Sequence, residues 1–292
     1  DAVRWVETDA ELRMRPDALA AALDAEARAG RRPMMVVASG GSVSTGAVDP
    51  LREIAAICRE RGVWFHVDGA YGGFAAVLDD APEDLHHLAL ADSVAVDPHK
   101  WLYTPLEAGC ALVRDAARMR AAFAYHPPYY HFGQEALNYV DIGPQNSRGF
   151  RALKVWMGLR HAGREGYARM IADDCRLAER LYREADAHPD LEAHTLGLSI
   201  ATFRYVPEAL RAHVGTAQVE ARLNALNREV QSRLERAGDV FLSNAVIDGR
   251  HLLRGCIVNF RTDVDDVCAI PGIVARGGRE AWAELSSSDS GQ

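Results

Sequence analysis

The sequence lacks the cysteine pattern of a disulfide-stabilised protein. It has five cysteines, an odd number, without a CxxC pair and with wide spacing between them: Cys58, Cys110, Cys175, Cys256 and Cys268. Disulfide frameworks are typical of short secreted chains with closely spaced, even-numbered cysteines. The pattern therefore predicts reduced thiols that pack in the core of a cytoplasmic protein.

Long apolar runs and long basic runs are also missing. No segment is long and apolar enough to predict a bilayer-spanning helix, and the N-terminus does not resemble a signal peptide. The 33 basic residues are outnumbered by 41 acidic ones, giving a net charge of −8. Because nucleic acids and anionic membranes are bound largely by clustered Lys and Arg, the sequence favours a small-molecule substrate over either partner.

The composition is that of an ordinary globular protein. With 292 residues, 48% of them hydrophobic and 25% charged, the chain is predicted to form one large and one smaller domain. No internal repeat is visible. The sequence starts with Asp1 rather than methionine, in a segment that already has secondary-structure patterning, so we expect an upstream portion to be missing.

The first half of the chain alternates helical and strand patterns. A helix is predicted to start at Pro16 and end at Gly30, and a second covers 51–61 with an apolar face at i, i+3, i+4 and i+7. Strands are predicted at 34–39, 63–68, 93–98 and 109–115. This alternation indicates an α/β fold with a mostly parallel sheet.

The second half predicts a separate, smaller domain. A proline- and aromatic-rich loop at 125–133 precedes two helices, and the domain change is predicted near 188–189. Strands at 198–206 and 256–262 flank a helix with apolar positions at Val219, Leu223, Leu226, Val230 and Leu234. The predicted division is therefore 1–188 for the large domain, 189–285 for a small α+β domain, and 286–292 for a disordered polar tail.

One candidate site lies at the end of the strand VWFHVD. Period-two alternation places His66 and Asp68 on the same face, and Asp68 comes at the carboxyl end, before the flexible GAYGG. Open α/β sheets bind ligands at this edge, and a carboxylate there could pair with a cationic ring nitrogen. The alternative is that Asp68 starts a turn and His66 packs in the core.

A second candidate is Lys100 in the run DPHKW, at the end of the next strand. The charged form of an amine among apolar groups is disfavoured, which would make Lys100 a candidate nucleophile. The alternative is a partly exposed lysine without a chemical role. Together, Asp68 and Lys100 match the need of a pyridoxal 5'-phosphate (PLP) enzyme for a Schiff-base lysine and an acid partner for the pyridine nitrogen.

The runs HVDGAYGG and DPHKWLY resemble the group II PLP-dependent decarboxylases, which include the aromatic-L-amino-acid, histidine and glutamate decarboxylases. The resemblance extends to RMRPDAL, GSVSTGAVDPL, FRALKVWMGLRHAG and NFRT, and so from Val3 to about Val267. It implies a homodimer of the fold-type-I architecture, in which a mixed, mostly parallel sheet of seven strands is followed by a small C-terminal domain.

The resemblance also implies roles for particular residues. Lys100 would form the Schiff base with PLP, Asp68 would keep the pyridine nitrogen protonated, and Asp97 and His99 would lie beside the phosphate. His66 could line the same site. In GGSVSTG, Ser42 is a further cofactor contact, although Val43 stands where many relatives carry a threonine near the cofactor.

The resemblance assigns Tyr129, in the YHPPYY loop, to the mobile-loop tyrosine that returns a proton to the substrate α-carbon. Relatives with phenylalanine there tend toward aldehyde formation, so Tyr129 favours decarboxylation. Aromatic packing of Tyr129 or Tyr130 is the alternative. A loop of this kind could also exclude water when it closes.

The resemblance further implies site elements upstream of the given sequence: a phosphate-binding loop, a histidine that stacks on the cofactor ring, and a segment that helps to form the dimer and substrate pocket. Their absence from the sequence predicts a fragment, or a truncated or split gene product.

Three functions are therefore open. The first is decarboxylation of an L-amino acid, expected to be aromatic, with PLP as cofactor. The second is a metal-dependent hydrolase using His66, Asp68 and His99 as ligands, which leaves Lys100 unexplained. The third is a non-catalytic remnant that keeps the fold. The visible absorbance of protein-bound PLP would distinguish the first from the others.

Overall fold

The computed structural model describes residues 2–129 and 138–289, except for the side chains of 288 and 289. Its α-helices are α1 (Pro16–Arg28), α2 (Leu51–Arg61), α3 (Ala116–Phe123), α4 (Arg151–Ala187), α5 (Glu208–Arg211), α6 (Ala217–Ala237) and α7 (Val264–Asp289). Its strands are β1 (Met35–Ser39), β2 (Trp64–Asp68), β3 (Ser93–Val96), β4 (Cys110–Val113), β5 (Leu191–Gly197), β6 (Ile200–Tyr205), β7 (Ser243–Ile247) and β8 (Arg250–Cys256).

The chain divides into two compact units. The first contains most of the chain up to Gly163, and the second contains the chain from Arg164 onward together with the short pieces 41–47 and 77–79. This division by contacts falls at Gly163, whereas the sequence predicts a domain change near 188–189. Gly163, whose φ is 66°, separates two helical segments of α4, in agreement with the two helices predicted there, and Leu177 and Leu181 of the later segment belong to the core of the second unit.

The first unit is built on the sheet β1–β2–β3–β4. The pairs β1–β2 and β2–β3 are parallel and β3–β4 is antiparallel, which confirms a mixed, mostly parallel α/β sheet. One face packs under α1 and α2, in a core that includes Leu19, Ile54, Val36, Phe65 and Val94. These strands alternate in burial because successive side chains point to opposite faces.

The expected count of seven strands is not met by this sheet. The described residues form four strands in it, and no other described strand pairs with β1 or β4. In a sheet these two edge strands keep unpaired backbone groups on their outer sides.

The second unit contains the sheet β5–β6–β8–β7, in which every pairing is antiparallel. Helices α6 and α7 and the later part of α4 contribute to its core, which includes Leu226, Phe203, Leu253 and Val274. The apolar positions predicted on α6 are all buried, which confirms the helical interpretation of that segment.

Two predictions for the second half were wrong. The strand predicted at 256–262 ends where it was expected to begin, at Cys256, and Asn259 starts a turn three residues later. The Asn259 side-chain oxygen accepts the N–H of Arg261, and its carbonyl accepts the N–H of Thr262. The polar tail predicted from residue 286 instead continues α7 as far as Asp289. Residues 290–292 lie outside the described residues.

No helix within 2–129 and 138–289 is long and apolar enough to cross a membrane. The five cysteines form no disulfide with one another in the described residues. Cys58 is buried, as predicted, but the prediction of core packing is wrong for Cys110 and Cys256, which are exposed.

Candidate active site

The candidate site lies at the carboxyl ends of two neighbouring parallel strands. In the β2–β3 register, His66 is opposite Ser93 and Asp68 is opposite Ala95. The turn that follows β3 carries Lys100, so Asp68 and Lys100 follow adjacent strands at the same edge of the sheet. His66 and Asp68 belong to the face turned away from the buried Phe65 and Val67.

Asp68 is exposed and keeps part of its hydrogen-bonding capacity. Its Oδ1 accepts the backbone N–H of Ala70 at 3.0 Å, which starts the turn after β2. Its Oδ2 accepts no hydrogen bond from the residues that the structure describes. One oxygen therefore orients the carboxylate, as the turn interpretation required, and the other is available to a ligand.

His66 is held by a chain of polar contacts. The Trp64 indole Nε1 donates to Ser93 Oγ at 2.9 Å, and His66 Nδ1 lies 2.7 Å from the same oxygen. Because indole nitrogen can only donate, the Ser93 hydroxyl accepts from Trp64 and its own proton is available to His66 Nδ1. The structure thus gives His66 a fixed orientation beside Asp68 along the strand.

Lys100 lies in the turn after β3. Its backbone N–H donates to the carbonyl of Asp97 at 2.9 Å, and its Nζ lies 2.9 Å from Asp97 Oδ2. Its side chain is 37% exposed. The sequence predicted apolar surroundings for the Lys100 amine. Its neighbour Trp101 is indeed fully buried, but the amine itself forms an ion pair with the Asp97 carboxylate.

Asp97 and His99 lie together with Lys100. His99 Nε2 is 3.6 Å from Asp97 Oδ2, and His99 Nδ1 is 2.7 Å from the carbonyl oxygen of Ala108. The position of Asp97 beside the cofactor's phosphate, which the resemblance implies, stays a prediction. In the structure, Asp97 Oδ2 contacts both the Lys100 amine and the His99 ring.

Two further candidates belong to other parts of the structure. Ser42 is in the second unit, where its Oγ is 2.9 Å from Thr45 Oγ1 and its N–H donates to Ala47. Tyr129 occupies a turn and is largely exposed. Tyr130 and the rest of its loop up to residue 137 lie outside the described residues.

The scarcity of lysine is a sequence signal that the motifs alone do not reveal. The whole sequence has two lysines, Lys100 and Lys154, among its 33 basic residues. Lys154 lies in the first part of α4, and its Nζ donates to the carbonyl of Pro105 at 2.7 Å. Any Schiff base on a side-chain amine of this chain must therefore form at one of two positions.

The hydrolase hypothesis finds no support in the site. Within the described parts of the chain, no group of three or more His, Cys, Asp and Glu residues could hold a metal ion. His66 and His99 each direct Nδ1 at a protein oxygen, of Ser93 and Ala108 respectively.

Known proteins are similar to this chain in both sequence and fold. Residues 2–205 match the family model described as "Pyridoxal-dependent decarboxylase conserved domain". The aromatic-L-amino-acid decarboxylase of Bacillus atrophaeus is 32% identical over 270 residues, which cover 91% of this chain and 55% of that protein. The L-2,4-diaminobutyrate decarboxylase of Rhizobium meliloti (strain 1021) is 33% identical over 291 residues, covering 96% and 55%.

Among solved structures, the crystal structure of Oryza sativa TDC with PLP and tryptamine superposes with a TM-score of 0.87 at 27% identity. The match covers 95% of this chain and 57% of that one. The chain thus spans about half the length of the curated relatives it matches. With the family model matched over more than half of its residues, the chain belongs to the pyridoxal-dependent decarboxylase family.

Proposed function

We propose that this chain carries the PLP-binding centre of a carboxy-lyase that converts an L-amino acid into the corresponding amine and carbon dioxide. The observation that carries the proposal is the placement of Asp68 and Lys100 after adjacent parallel strands, at one edge of the first sheet. A carboxylate and an amine are the two protein groups that PLP chemistry requires.

The residues present fit the cofactor. Lys100 Nζ, partly exposed and oriented by Asp97, would hold PLP covalently. Asp68 Oδ2, which accepts no hydrogen bond from the described residues, would face the ring nitrogen. When bound, PLP supplies a conjugated cationic ring that accepts the electrons left on the α-carbon after carbon dioxide departs.

The side chains would act on protons and orientation. The charge of Asp68 would keep a proton on the ring nitrogen, since a nearby negative charge favours the cationic form. The Trp64–Ser93–His66 contacts would keep the neighbouring side of the strand rigid. Tyr129 Oη would deliver the proton that replaces the carboxyl group at the substrate α-carbon.

We propose an aromatic substrate. In support, the Bacillus relative is named an aromatic-L-amino-acid decarboxylase and the Oryza structure contains tryptamine. The Rhizobium relative, at similar identity, is named for L-2,4-diaminobutyrate. Release of carbon dioxide from L-tryptophan and L-tyrosine, compared with L-2,4-diaminobutyrate, tests the choice, and turnover of the last alone would contradict it.

A cytoplasmic homodimer is the proposed form of the protein. Its odd number of widely spaced cysteines, without a CxxC pair, fits a reducing compartment. Large apolar side chains are exposed on the first sheet and on the first part of α4, among them Met35, Val37, Leu112 and Trp156. Exposed apolar surface of this kind marks contact with another protein surface, here proposed to be a second copy. Sedimentation as a monomer at all accessible concentrations would contradict it.

The proposed function is tested by a matched pair of lysine variants. Lys100→Ala should abolish both the visible absorbance of protein-bound PLP and the release of carbon dioxide, because the covalent attachment is lost. Lys154→Ala should retain both. If the unaltered chain binds PLP at Lys100 but releases no carbon dioxide from any L-amino acid, it is the non-catalytic form of the fold.

A further inference from the structure

Two buried aromatic rings join the turns that carry Asp68 and Lys100. Tyr71 lies three residues after Asp68, and Trp101 directly follows Lys100. Their ring centroids are 4.7 Å apart with planes tilted by 31°. Trp101 is fully buried and Tyr71 is 6% exposed, so the contact excludes water.

Backbone hydrogen bonds already join the beginnings of these two turns. The N–H of Gly69 donates to the carbonyl of Ala95 at 2.9 Å, and the N–H of Asp97 donates to Ala70 at 3.2 Å. These bonds stop short of Lys100, which is three residues beyond Asp97. The ring pair is a further link, located beyond the backbone bonds in both turns.

Close packing leaves the first turn little freedom. A Cβ on Gly73 would lie 2.8 Å from Val96 Cγ1, and a Cβ on Gly69 would lie 3.1 Å from the Cα of Gly73. The glycines therefore allow the turn to fold tightly against the end of β3. Tyr71 is carried by this tight turn, so its ring offers Trp101 a firm surface.

We infer that the Tyr71–Trp101 pair sets the separation between the Asp68 carboxylate and the Lys100 amine. The inference rests on the proposed function. PLP is a rigid ring with its nitrogen and its aldehyde at opposite ends, so the two protein groups must lie at a matching distance. Tyr71 and Trp101 are positioning residues, because they act through Asp68 and Lys100.

The test compares the apparent PLP affinity, measured from the absorbance of protein-bound cofactor, in Tyr71→Leu and Phe65→Leu. Phe65 is a matched control: it is a buried aromatic residue of β2, but it packs on the face covered by helices. Tyr71→Leu should weaken PLP binding by roughly threefold to tenfold, the range expected for loss of an aromatic pair. Phe65→Leu should lower the thermal unfolding midpoint and leave PLP affinity unchanged.

Tyr71→Phe separates the ring from the hydroxyl, and should weaken PLP binding less than Tyr71→Leu does. If Tyr71→Leu does not fold, Trp101→Phe takes its place, since it reduces the ring contact from the other side and should weaken binding in the same direction. An affinity that Tyr71→Leu leaves unchanged, or that Phe65→Leu lowers equally, would overturn the inference.

A double-variant cycle distinguishes an effect through Asp68 from a general loss of structure. If Tyr71 acts by placing Asp68, then Tyr71→Leu should cost less PLP affinity in an Asp68→Asn background than in the unaltered chain. Equal costs in both backgrounds would show that the rings do not act through Asp68. An unaltered chain without PLP on Lys100 would instead overturn the proposed function, and this inference with it.

Discussion

The two sheets of this protein differ in how far their faces are buried. In the second unit, all six residues of β6 are buried and Leu252 and Leu253 of β8 are fully buried. In the first unit, β1 alternates between buried and exposed residues, and three of the four residues of β4 are exposed. The central strand β6 of the second sheet is thus buried on both faces, whereas sheet β1–β4 has a face that the described residues leave open.

The open face is also the face of the candidate site. His66 and Asp68 share it with the exposed Met35 and Val37, since all four alternate with the buried residues of β1 and β2. Folding of the first unit relies on the opposite face, against α1 and α2. One face of this sheet therefore serves stability and the other is available for ligand binding. Substitutions on the first face should lower stability, and substitutions on the second should change ligand binding.

The largest effect on stability is expected from a matched pair of leucines in strands. Leu253→Ala in β8 removes a fully buried side chain and should destabilise the protein by about 3 kcal/mol, because it leaves a cavity. Leu112→Ala in β4, where the side chain is 55% exposed, should cost less than about 1 kcal/mol. Denaturant unfolding measures both.

Measuring both leucine variants at several protein concentrations tests whether a second copy covers β4. If a second copy covers β4, the cost of Leu112→Ala should grow with protein concentration, because assembly adds to apparent stability. A cost for Leu112→Ala equal to that of Leu253→Ala at the lowest concentration would break the comparison between the two sheets.

In the first unit, Tyr129→Phe should change the products and leave stability unaltered. The side chain is largely exposed, so its hydroxyl contributes little to packing. Loss of the proposed proton donor should lower the share of amine and raise that of aldehyde, whose formation consumes dissolved dioxygen as the oxidant and releases ammonia, measured by chromatography of the products. Tyr125→Phe, another exposed tyrosine on the same segment, is the control. An unchanged amine yield would remove Tyr129 from the mechanism.

The second unit should show a smaller effect, a loss of stability in acid. Burial lowers the pKa of His251 below its ordinary value of 6.5, and the charge of Arg228 acts in the same direction. Its Nε2 lies 3.2 Å from Gln231 Oε1, an acceptor, so the neutral ring donates there. As the pH falls below 6.5, the unfolded chain binds a proton that the folded chain resists, and stability is lost toward the lower folded-state pKa.

This pH effect is measurable from thermal unfolding midpoints between about pH 8 and about pH 5. His251→Gln should reduce the decline, although His194, whose pKa is also lowered by burial, will retain part of it. A midpoint that rises on acidification, or a decline that is the same in His251→Gln, would contradict the assignment.

The parts of the fold that the sequence predicted well are those with a regular apolar period. The strand ends that carry Asp68 and Lys100, and the buried face of α6, follow directly from such patterns. The sequence could also have revealed the β7–β8 hairpin, which was missed. Asp248 and Gly249 both have positive φ at its turn, and Asp-Gly is a strong signal for that geometry.

Other features depend on three-dimensional contacts and have no local pattern. The division of the chain falls at Gly163, where the sequence predicts one helix to end and the next to begin, but which unit each helix joins follows from where it packs. The run DPHKW predicts a turn, but it does not show that the Lys100 amine points at the Asp97 carboxylate and forms an ion pair with it. The motif gave the identity of the candidate residues, while their contacts required the structure.

The most direct test of the central claim is borohydride reduction of the chain after incubation with PLP, followed by mass spectrometry of its peptides. With two lysines in the sequence, the outcome is unambiguous. We expect the cofactor to be fixed to Lys100 and Lys154 to remain unlabelled. Labelling of Lys154, or no label on Lys100, would contradict the claim.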